Sequence, residues 1–323
     1  MRKLLLVVLL LSPPFLKRLL LRLFWRAKIG RGVRIGWFAA VTGRHIELGD
    51  YSEVRAFSTV RCREVSIGAY SVIGSYVHVY GPACFTMGHH SIVGNHAQIN
   101  VWEDVRLGNV SAIGPGSTVL THGTFLPYTE GYWVKFAPVT IGDRVWIASG
   151  VTIQPGIRIG NEVFVNALSL VKKDLPDGTI AEGNPAREVG RMEKLRRTMT
   201  PQRLDAAAAA MLEHFAEVAL RRERGIEPTP DGPGRIRFAS GRRTYLIACV
   251  TAGGPDLTPG DCTGAQRVIL IVTRPNWTPP PELPGAMAID LVRNRTRRSG
   301  DPLHLALARF LRGYYGVPLE YQG

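Results

Sequence analysis

Between residues 141 and 171 an aliphatic residue returns at every sixth position without a gap. The positions are Ile141, Ile147, Ile153, Ile159, Val165 and Val171. A period of six matches neither an α-helix nor a single strand, but it fits a coil of three short strands per turn whose sixth residues all point to one apolar axis. The stretch therefore predicts a parallel β-helix with about eighteen residues in each turn.

The same six-residue beat runs through the preceding sequence, where it slips between one run and the next. The runs are Leu48, Val54, Val60; Ile67, Ile73, Val79, Phe85; Met87, Val93, Ile99, Val105; and Leu107, Ile113, Val119. We interpret each slip as an inserted or bulged residue. A glycine directly follows many of these aliphatic residues, as at Gly68 and Gly114, and we expect it to supply the positive φ of a turn.

The beat stops between Thr121 and Pro138, where the sequence reads THGTFLPYTEGYWVKFAP. A loop that leaves an otherwise regular solenoid is a common place for function. We therefore expect the functional residues to lie in or near this loop.

Beyond the coil, Thr200 and Pro201 predict the start of a helix, because they suit the N-cap and the first helical position. Its apolar residues recur at spacings of three and four: Leu204, Ala208, Met211, Phe215 and Val218. This seam is expected to pack on the side of the coil or on the same helix of another subunit.

The predicted organisation is mainly β, with an N-terminal amphipathic helix, the coil, a helix after it and a small C-terminal α+β domain. The boundaries are 1–28 for a membrane-interfacial segment, 29–192 for the coil, 193–226 for the helix, 227–234 for a linker and 235–323 for the last domain. Strands at 236–238, 245–250, 268–272 and 286–291 and a helix at 302–315 define that domain. The sequence assigns it no function.

The net charge of +14 is concentrated at the amino terminus, where ten lysines and arginines precede the first acidic residue, Glu47. Two apolar elements, Leu4–Leu11 and Phe15–Ala27, are each too short to span a bilayer and are separated by Pro13 and Pro14. Arg18, Arg22 and Arg26 recur every four residues along the second.

This combination is typical of a helix that lies on an anionic membrane surface rather than of a nucleic-acid-binding protein. A cap on the end of the coil and a cleaved signal peptide are the alternatives. The four cysteines form no CxxC motif, which favours reduced thiols. We therefore expect a cytoplasmic protein that is peripherally associated with the inner face of the cell membrane.

Residues 121–192 resemble the hexapeptide-repeat acyltransferases with a left-handed β-helix, in particular the branch that acetylates sugar hydroxyls from acetyl-CoA. The matching motifs are the His122 loop, VTIGDRVWIASGVTIQPGIRIG from Val139, LSLVKKDLPDG from Leu168 and GNPAR from Gly183. The resemblance implies acetyl-CoA as co-substrate without a metal, a surface-polysaccharide precursor, lipid-linked sugar or related glycan as acceptor, and a homotrimer with CoA between neighbouring coils.

The resemblance also implies roles for individual residues. His122 is the general base, a task for which the near-neutral pKa of imidazole is suited. Trp146 lines the acceptor pocket, and Glu130, with Glu103 and Asp104 as alternatives, replaces an acidic acceptor-binding residue that has no clear match. The residues implied in donor binding are Ser149 at the thioester oxygen, Ala167 at the pantetheine arm, and Lys172, Lys173 and Arg187 at the phosphates. The family often has two further residues before the histidine.

Two other functions remain open at this point. A non-catalytic scaffold would keep the coil without the chemistry. A zinc enzyme of the carbonic anhydrase type is built on the same coil and needs three histidines around one open position. His78, His89, His90 and His96 are close in sequence, but no histidine pair has the spacing of five residues found between two ligands of that family.

Overall fold

The computed structural model describes residues 2–123, 126–254, 257–279, 283, 285–297 and 299–322, without the side chains of residues 2–5. The chain divides into two units, Met1–Arg196 and Arg197–Gly323.

The first unit is a parallel β-helix with three faces, named A, B and C here, so the predicted mainly-β coil is confirmed. Face A contains Lys28–Ile29, His45–Leu48, Glu64–Ile67, Cys84–Met87, Val105–Leu107, Val139–Ile141 and Arg158–Ile159. Face B contains Arg34–Ile35, Glu53–Val54, Val72–Ile73, Ile92–Val93, Ala112–Ile113, Trp146–Ile147, Phe164–Val165, Thr179–Glu182 and the antiparallel Arg187–Arg191. Face C contains Ala40–Thr42, Thr59–Arg61, His78–Tyr80, Gln98–Asn100, Thr118–Val119, Thr152–Ile153 and Leu170–Val171.

The aliphatic residues of the beat form the axis of the coil. Every one of the six between Ile141 and Val171 is at most 1% exposed. Burying a side chain of this size contributes roughly 1.5–3 kcal/mol. The three faces therefore share one continuous apolar core along the length of the coil.

The slips in the beat all fall at one edge of the coil, between the end of face C and the start of face A. Val60 to Ile67 is a step of seven, and both Val79 to Met87 and Ile99 to Leu107 are steps of eight, whereas the other two corners keep the step of six. The His122 loop leaves the coil at the same place. The predicted insertions are confirmed, and they single out this corner, which we name edge C–A.

The expected role of the glycines after the aliphatic residues is wrong. Gly68 and Gly114 lie outside the left-handed region, and positive φ occurs instead two positions further on, as at Tyr51 (57°) and Tyr70 (60°). A Cβ on Gly68 would lie 2.5 Å from the backbone carbon of Gly88 in the next turn. Glycine is needed here because successive turns of the coil approach closely at the corner.

The left-handed corner residues stack into aromatic ladders. Phe38, Phe57, Tyr76 and His96 follow one another along edge B–C with ring centroids 4.9–5.1 Å apart, and Tyr51, Tyr70 and His90 do so along edge A–B. Such stacking offsets part of the cost of positive φ. His90 and His96 are thus on different edges, and no group of three or more potential metal ligands occurs in the described parts of the chain.

Two helices precede the coil: α1, Arg2–Leu11, and α2, Pro14–Trp25. The predicted break at the prolines is confirmed. Leu9 and Leu21 are buried in the core of the coil, and the buried Lys17 donates from Nζ to the carbonyl oxygens of Gly36 (2.9 Å) and Ala39 (2.7 Å). The helices therefore close the first turn of the coil, as the capping alternative expected.

The outward side of α2 is apolar and basic. Phe15, Leu19 and Leu23 are 74%, 51% and 64% exposed, and Arg18 and Arg22 are exposed beside them. On the other side of the helix, Leu20 is half-buried and packs against the core of the coil. Among the described residues, no helix reaches the length and apolarity that a membrane crossing requires.

In its described residues, the second unit forms a seven-stranded sheet and two main helices. In sheet order the strands are Thr229–Pro230, Arg235–Ser240, Arg243–Val250, Arg267–Val272, Met287–Asp290, Arg295–Arg297 and Glu320–Gln322. The helices are α3, Pro201–Phe215, which continues as the π-helical Ala216–Arg222, and α4, Pro302–Tyr315. Short 3₁₀ turns occur at Tyr128–Glu130 and Met192–Lys194 in the first unit and at Gly260–Cys262 in the second.

The N-cap predicted at Thr200 is confirmed, and Asp301 caps α4 in the same way. Thr200 accepts a hydrogen bond from the Arg203 backbone, and Asp301 accepts two from the first turn of α4. Two other expectations need correction. The seam of α3 packs into the core of its own unit, with Phe215 against Phe310, because the sheet offers an apolar face there. The predicted linker at 227–234 contains a strand that pairs with Arg235–Ser240.

Candidate active site

His122 lies where the chain leaves face C at edge C–A. The strand His122–Gly123 pairs antiparallel with Lys135–Phe136, which closes the base of the extruded loop. The loop contains the 3₁₀ turn Tyr128–Glu130, while residues 124 and 125 lie outside the described part. The histidine is therefore held on a paired strand at the edge of a rigid coil, although it begins a loop.

Asn100 orients the imidazole of His122 from the preceding turn of the coil. Its side-chain oxygen Oδ1 lies 2.8 Å from His122 Nδ1 and 3.0 Å from the hydroxyl of Thr121. Thr121 Oγ1 also accepts backbone N–H groups from Trp102 and Glu103. Asn100 and Thr121 are buried, so the network is fixed. An amide oxygen at Nδ1 places the ring proton there and leaves Nε2 as the basic nitrogen.

Two aromatic side chains flank the imidazole. The ring centroid of Trp102 lies 5.4 Å from that of His122, and Phe136 stacks nearly parallel to it at 5.7 Å. Both aromatic residues are about half exposed, and His122 itself is half-buried. The two rings restrict the orientation of the imidazole and shield it in part from water.

The three acidic candidates are in different positions. Glu130 is exposed in the 3₁₀ turn, and within the described residues it makes no contact with His122. Asp104 accepts a hydrogen bond from the Cys84 backbone, which engages one of its carboxylate oxygens. Glu103 donates its backbone N–H to Thr121 Oγ1, so its backbone belongs to the network that holds the histidine.

The predicted acceptor-pocket and thioester residues lie on other surfaces of the coil. Trp146 is on face B, 59% exposed, with its ring 4.8 Å from that of Phe164. Ser149 and Ala167 lie in adjacent turns at edge B–C, where the Ser149 carbonyl accepts a hydrogen bond from the Leu168 backbone. The structure thus brings Ser149 and Ala167 together.

The three basic donor residues are exposed and divided between two surfaces. Lys172 and Lys173 follow the strand Leu170–Val171 at edge C–A, beyond the turn of the coil that follows His122. Arg187 begins the antiparallel strand that extends face B.

Within one chain, the predicted residues therefore form two separate groups. His122, Lys172 and Lys173 share edge C–A. Trp146 and Arg187 are on face B, and Ser149 and Ala167 are at edge B–C. In a coil with three faces, edge C–A is opposite face B, so His122 and Trp146 of one copy point away from each other.

Sequence reasoning missed Asn100, Trp102 and Phe136. Asn100 belongs to no sequence motif. It lies one coil turn from the histidine, so their contact can be predicted only when the number of residues in that turn is known. The loop contains several aromatic residues, but its composition does not identify which ring reaches the imidazole.

The amino-acid sequence is similar to acetyltransferases of sugars and polysaccharides. It is 31% identical over 132 residues to "Putative colanic acid biosynthesis acetyltransferase WcaF" of Escherichia coli (strain K12), which covers 41% of this chain and 71% of that protein. It is 31% identical over 129 residues to the galactoside O-acetyltransferase of the same strain, covering 37% of this chain and 63% of that protein. Comparison with protein-family models gives no match.

Solved structures of acetyltransferases also align with this chain. The polysialic acid O-acetyltransferase OatWY matches with a TM-score of 0.40 at 18% identity, covering 54% of this chain and 88% of that chain. The acetyl-CoA complex of the hexapeptide-repeat acetyltransferase VCA0836 from Vibrio cholerae O1 biovar eltor matches with a TM-score of 0.29 at 20% identity, covering 59% and 84%.

The coil with its histidine loop and the similarity in sequence define the class as acyltransferases built on hexapeptide repeats. Within that class, the chain belongs to the family of sugar O-acetyltransferases that includes WcaF and galactoside O-acetyltransferase. The predictions of family and enzyme class are thereby confirmed.

Proposed function

We propose that this protein transfers an acetyl group from acetyl-CoA to a sugar hydroxyl of a surface-polysaccharide precursor. The observation that carries the proposal is the contact between His122 Nδ1 and Asn100 Oδ1, because an amide oxygen accepts a hydrogen bond from Nδ1–H and leaves Nε2 able to take a proton from the acceptor hydroxyl. Two relatives, named as a putative colanic acid biosynthesis acetyltransferase and a galactoside O-acetyltransferase, support the acceptor class.

In the proposed reaction, Nε2 of His122 takes the proton from the acceptor hydroxyl as its oxygen attacks the thioester carbonyl. The tetrahedral intermediate then expels the CoA thiolate, and the imidazolium returns the proton to that sulfur. Asn100 stabilises the imidazolium by keeping Nδ1–H bonded throughout. Backbone and side-chain donors around Ser149 face the developing oxyanion, a contribution of about 3–4 kcal/mol for each well-placed donor.

Acetyl-CoA is proposed to lie along edge B–C and to end at basic residues. Ser149 and Ala167 are exposed in adjacent turns there, so a narrow pantetheine arm can pass over them. Lys172, Lys173 and Arg187 are exposed cations suited to the phosphates. The residue set on this chain fits the co-substrate, but it is divided between surfaces that do not meet within one copy.

The active species is therefore proposed to be a homotrimer. Face B and edge B–C of one copy, with Trp146 and Ser149, would meet edge C–A of the next copy, with His122. A cyclic arrangement of three copies forms three equivalent sites of this kind and leaves no unsatisfied face.

Mixing two inactive variants tests this arrangement. His122→Ala and Trp146→Ala chains are unfolded, mixed in equal amounts and refolded together, with each variant refolded alone as the control. In randomly mixed trimers about a quarter of the sites would combine an intact histidine with an intact tryptophan, so roughly that fraction of activity should return. No recovery, with trimers present by light scattering, would show that the two residues act within one copy.

Thiol release from acetyl-CoA tests the reaction itself. The full-length protein should release CoA thiol faster with a suitable sugar, nucleotide sugar or lipid-linked glycan than by background hydrolysis, and the acetylated product should appear by mass spectrometry. The His122→Ala protein is the matched control. If both proteins show the same turnover with every acceptor, the proposed acetyl transfer through His122 is wrong.

The protein is further proposed to associate with the inner face of the cell membrane through α2. The exposed stripe of Phe15, Leu19 and Leu23 beside Arg18 and Arg22 combines an apolar surface with cations. That pairing suits the interface of an anionic bilayer, where each cation contributes about 1 kcal/mol. Capping the coil and binding the membrane are compatible, since they use opposite sides of the helix.

A further inference from the structure

A groove of about 800 Å³ runs along edge C–A from the amino-terminal helices toward the histidine. Its lower end is bounded by Leu6 of α1 and Trp25 of α2, and its upper end by Trp102. Trp102 is the ring that lies 5.4 Å from His122. The groove exists because the extra residues of the longer turns all fall at this edge.

Three arginines line the middle of the groove: Arg44, Arg61 and Arg63. All three are exposed. Arg44 and Arg61 form no ion pair with any residue in the described ranges. Arg63 lies 3.9 Å from Glu64 and donates to the sulfur of Cys84, so its charge is only partly compensated. The groove therefore presents uncompensated positive charge between two apolar or aromatic ends.

The spacing along the groove follows from strand pairing. Thr42, Arg61, Tyr80 and Asn100 are successive partners at the last position of face C. Since neighbouring strands are about 4.8 Å apart, Arg61 lies roughly 10 Å below Asn100. Asn100 bonds His122 from the turn below it, so Arg61 lies about three coil turns, roughly 14 Å, below the histidine that receives the hydroxyl proton.

We propose that this groove binds the phosphate-linked lipid end of the acceptor, so that the substrate is a glycan joined to a lipid through phosphate or pyrophosphate. Arg44 and Arg61 hold the phosphate oxygens, for which guanidinium groups are well shaped. The start of the lipid chain lies against Leu6 and Trp25, and the sugars extend past Tyr80 and Trp102 to His122. This inference rests on the proposed acetyltransferase function and adds the form in which the acceptor is presented.

The occupant follows from the order of chemistry along the groove. A free anionic polysaccharide would use the arginines but would leave the apolar lower end without a partner. A neutral oligosaccharide would use Tyr80 and Trp102 but would leave the arginines unpaired. A lipid phosphate glycan matches all three parts in the right order, and it arrives from the end of the coil where α2 exposes its apolar stripe.

Binding of farnesyl pyrophosphate to the full-length protein tests the proposal without turnover. The wild type should bind it saturably, and it should bind inorganic pyrophosphate more weakly and farnesol without saturation. The Arg44→Ala/Arg61→Ala protein should bind farnesyl pyrophosphate at least about tenfold more weakly, as expected for lost hydrogen bonds to a charged group. Arg44→Lys/Arg61→Lys keeps the charge without the bidentate geometry and should bind with an affinity between those of the wild type and the double alanine variant.

Arg106→Ala is the matched control, because Arg106 is an exposed arginine on face A outside the groove. Its affinity should equal that of the wild type, and the melting temperatures of all variants should agree, since the replaced side chains are exposed. Unchanged binding in the double alanine variant would overturn the proposal. If inorganic pyrophosphate binds as tightly as farnesyl pyrophosphate, the lipid does not contribute to binding, and the proposal of a lipid-linked acceptor is wrong.

Acetyl transfer to neutral sugars, measured on the same proteins, separates this inference from the proposed function. If the wild type acetylates a neutral sugar but binds no farnesyl pyrophosphate, the groove assignment fails while the enzyme assignment stands. If farnesyl pyrophosphate binds as expected but no acceptor is acetylated, the enzyme assignment fails while the groove remains a lipid phosphate site.

Discussion

Edge C–A of the coil differs on the two sides of His122. Below the histidine, the turns carry extra residues, and the edge is a groove lined by Arg44, Arg61 and Trp102. Above it, the turns shorten to eighteen residues, as the pairing of Thr140 with Arg158 shows, and the edge ends in Lys172 and Lys173. The same corner of one fold is thus a groove on one side of the histidine and an edge with two exposed lysines on the other.

This difference indicates that the two sides of the histidine bind different substrates. A groove can enclose a chain of sugars, whereas exposed lysines suit phosphates that stay close to solvent. His122 lies at the junction, where acceptor and donor must meet. In this interpretation, changes below the histidine should act on the acceptor, and changes above it should act on acetyl-CoA.

The largest effect is expected at the junction itself. His122→Ala should lower kcat by about two to four orders of magnitude, the usual contribution of a general base, with little change in the affinity for acetyl-CoA. Steady-state kinetics and equilibrium binding of CoA measure the two quantities. If the variant keeps most of its activity, His122 is not the general base. The division of edge C–A into an acceptor side and a donor side would then have no catalytic residue between them.

A smaller loss is expected from Asn100, which positions the imidazole without touching the reacting atoms. Asn100→Leu should lower kcat by roughly ten- to a hundredfold. Without a hydrogen-bond partner at Nδ1, the imidazole can rotate and can adopt the other tautomer. Asn100→Asp keeps an acceptor oxygen and should retain more activity. Its carboxylate should also move the acidic limb of the kcat/KM profile to higher pH, since a nearby anion favours the imidazolium.

A purely structural role for Asn100 would lower activity in both variants without moving the pH profile. Thermal unfolding of both proteins distinguishes loss of fold from loss of positioning.

The two sides of the edge can be compared directly through substrate KM values. Lys172→Ala/Lys173→Ala should raise the KM for acetyl-CoA by about tenfold, the effect of losing contacts to phosphate, and should leave the acceptor KM unchanged. Arg44→Ala/Arg61→Ala should show the reverse pattern with a phosphate-linked acceptor. If both pairs change the same KM, the two sides of the histidine do not serve different substrates.

The smallest effect is expected at the lower end of the edge, where α2 would meet the membrane. Leu19→Ser/Leu23→Ser should reduce sedimentation with anionic vesicles by several-fold and leave the coil folded, because both side chains are exposed. Binding of the wild type should weaken partly in high salt. Leu21→Ser is the contrasting control, since Leu21 is buried and its loss should destabilise the coil.

Substitution is the sharper test here than deletion of residues 1–28, which would also uncover the first turn of the coil. A wild-type protein that stays in the supernatant at low salt would leave α2 with the capping role alone.

Much of the coil could be predicted because its core positions depend only on spacing along the chain. The six-residue beat identified inward residues such as Ile147 and Val165 without reference to other turns. The slips in the six-residue spacing are also visible in the sequence, but their common location at edge C–A requires the assignment of each strand to a face. Once the slips are assigned to one corner, the extra residues there predict a groove along that edge.

Relations between turns were harder to predict, because they depend on the number of residues in each turn. Asn100 meets His122 only because twenty residues separate the paired positions Gln98 and Thr118. The role of Gly68 was misjudged for the same reason, since its constraint comes from Gly88 in the next turn. The partner of α3 was wrong because an apolar seam does not specify which apolar face it meets.

The burial of Lys17 links the folding of the coil to the uptake of protons. Burial lowers the pKa of this amine to about 8, from an ordinary value of 10.5. Between these two values the unfolded chain holds a proton that the folded chain has lost, so unfolding takes one up and stability rises with pH across that window. Calorimetric unfolding in buffers of different ionisation enthalpy should detect this proton, and Lys17→Met should abolish it.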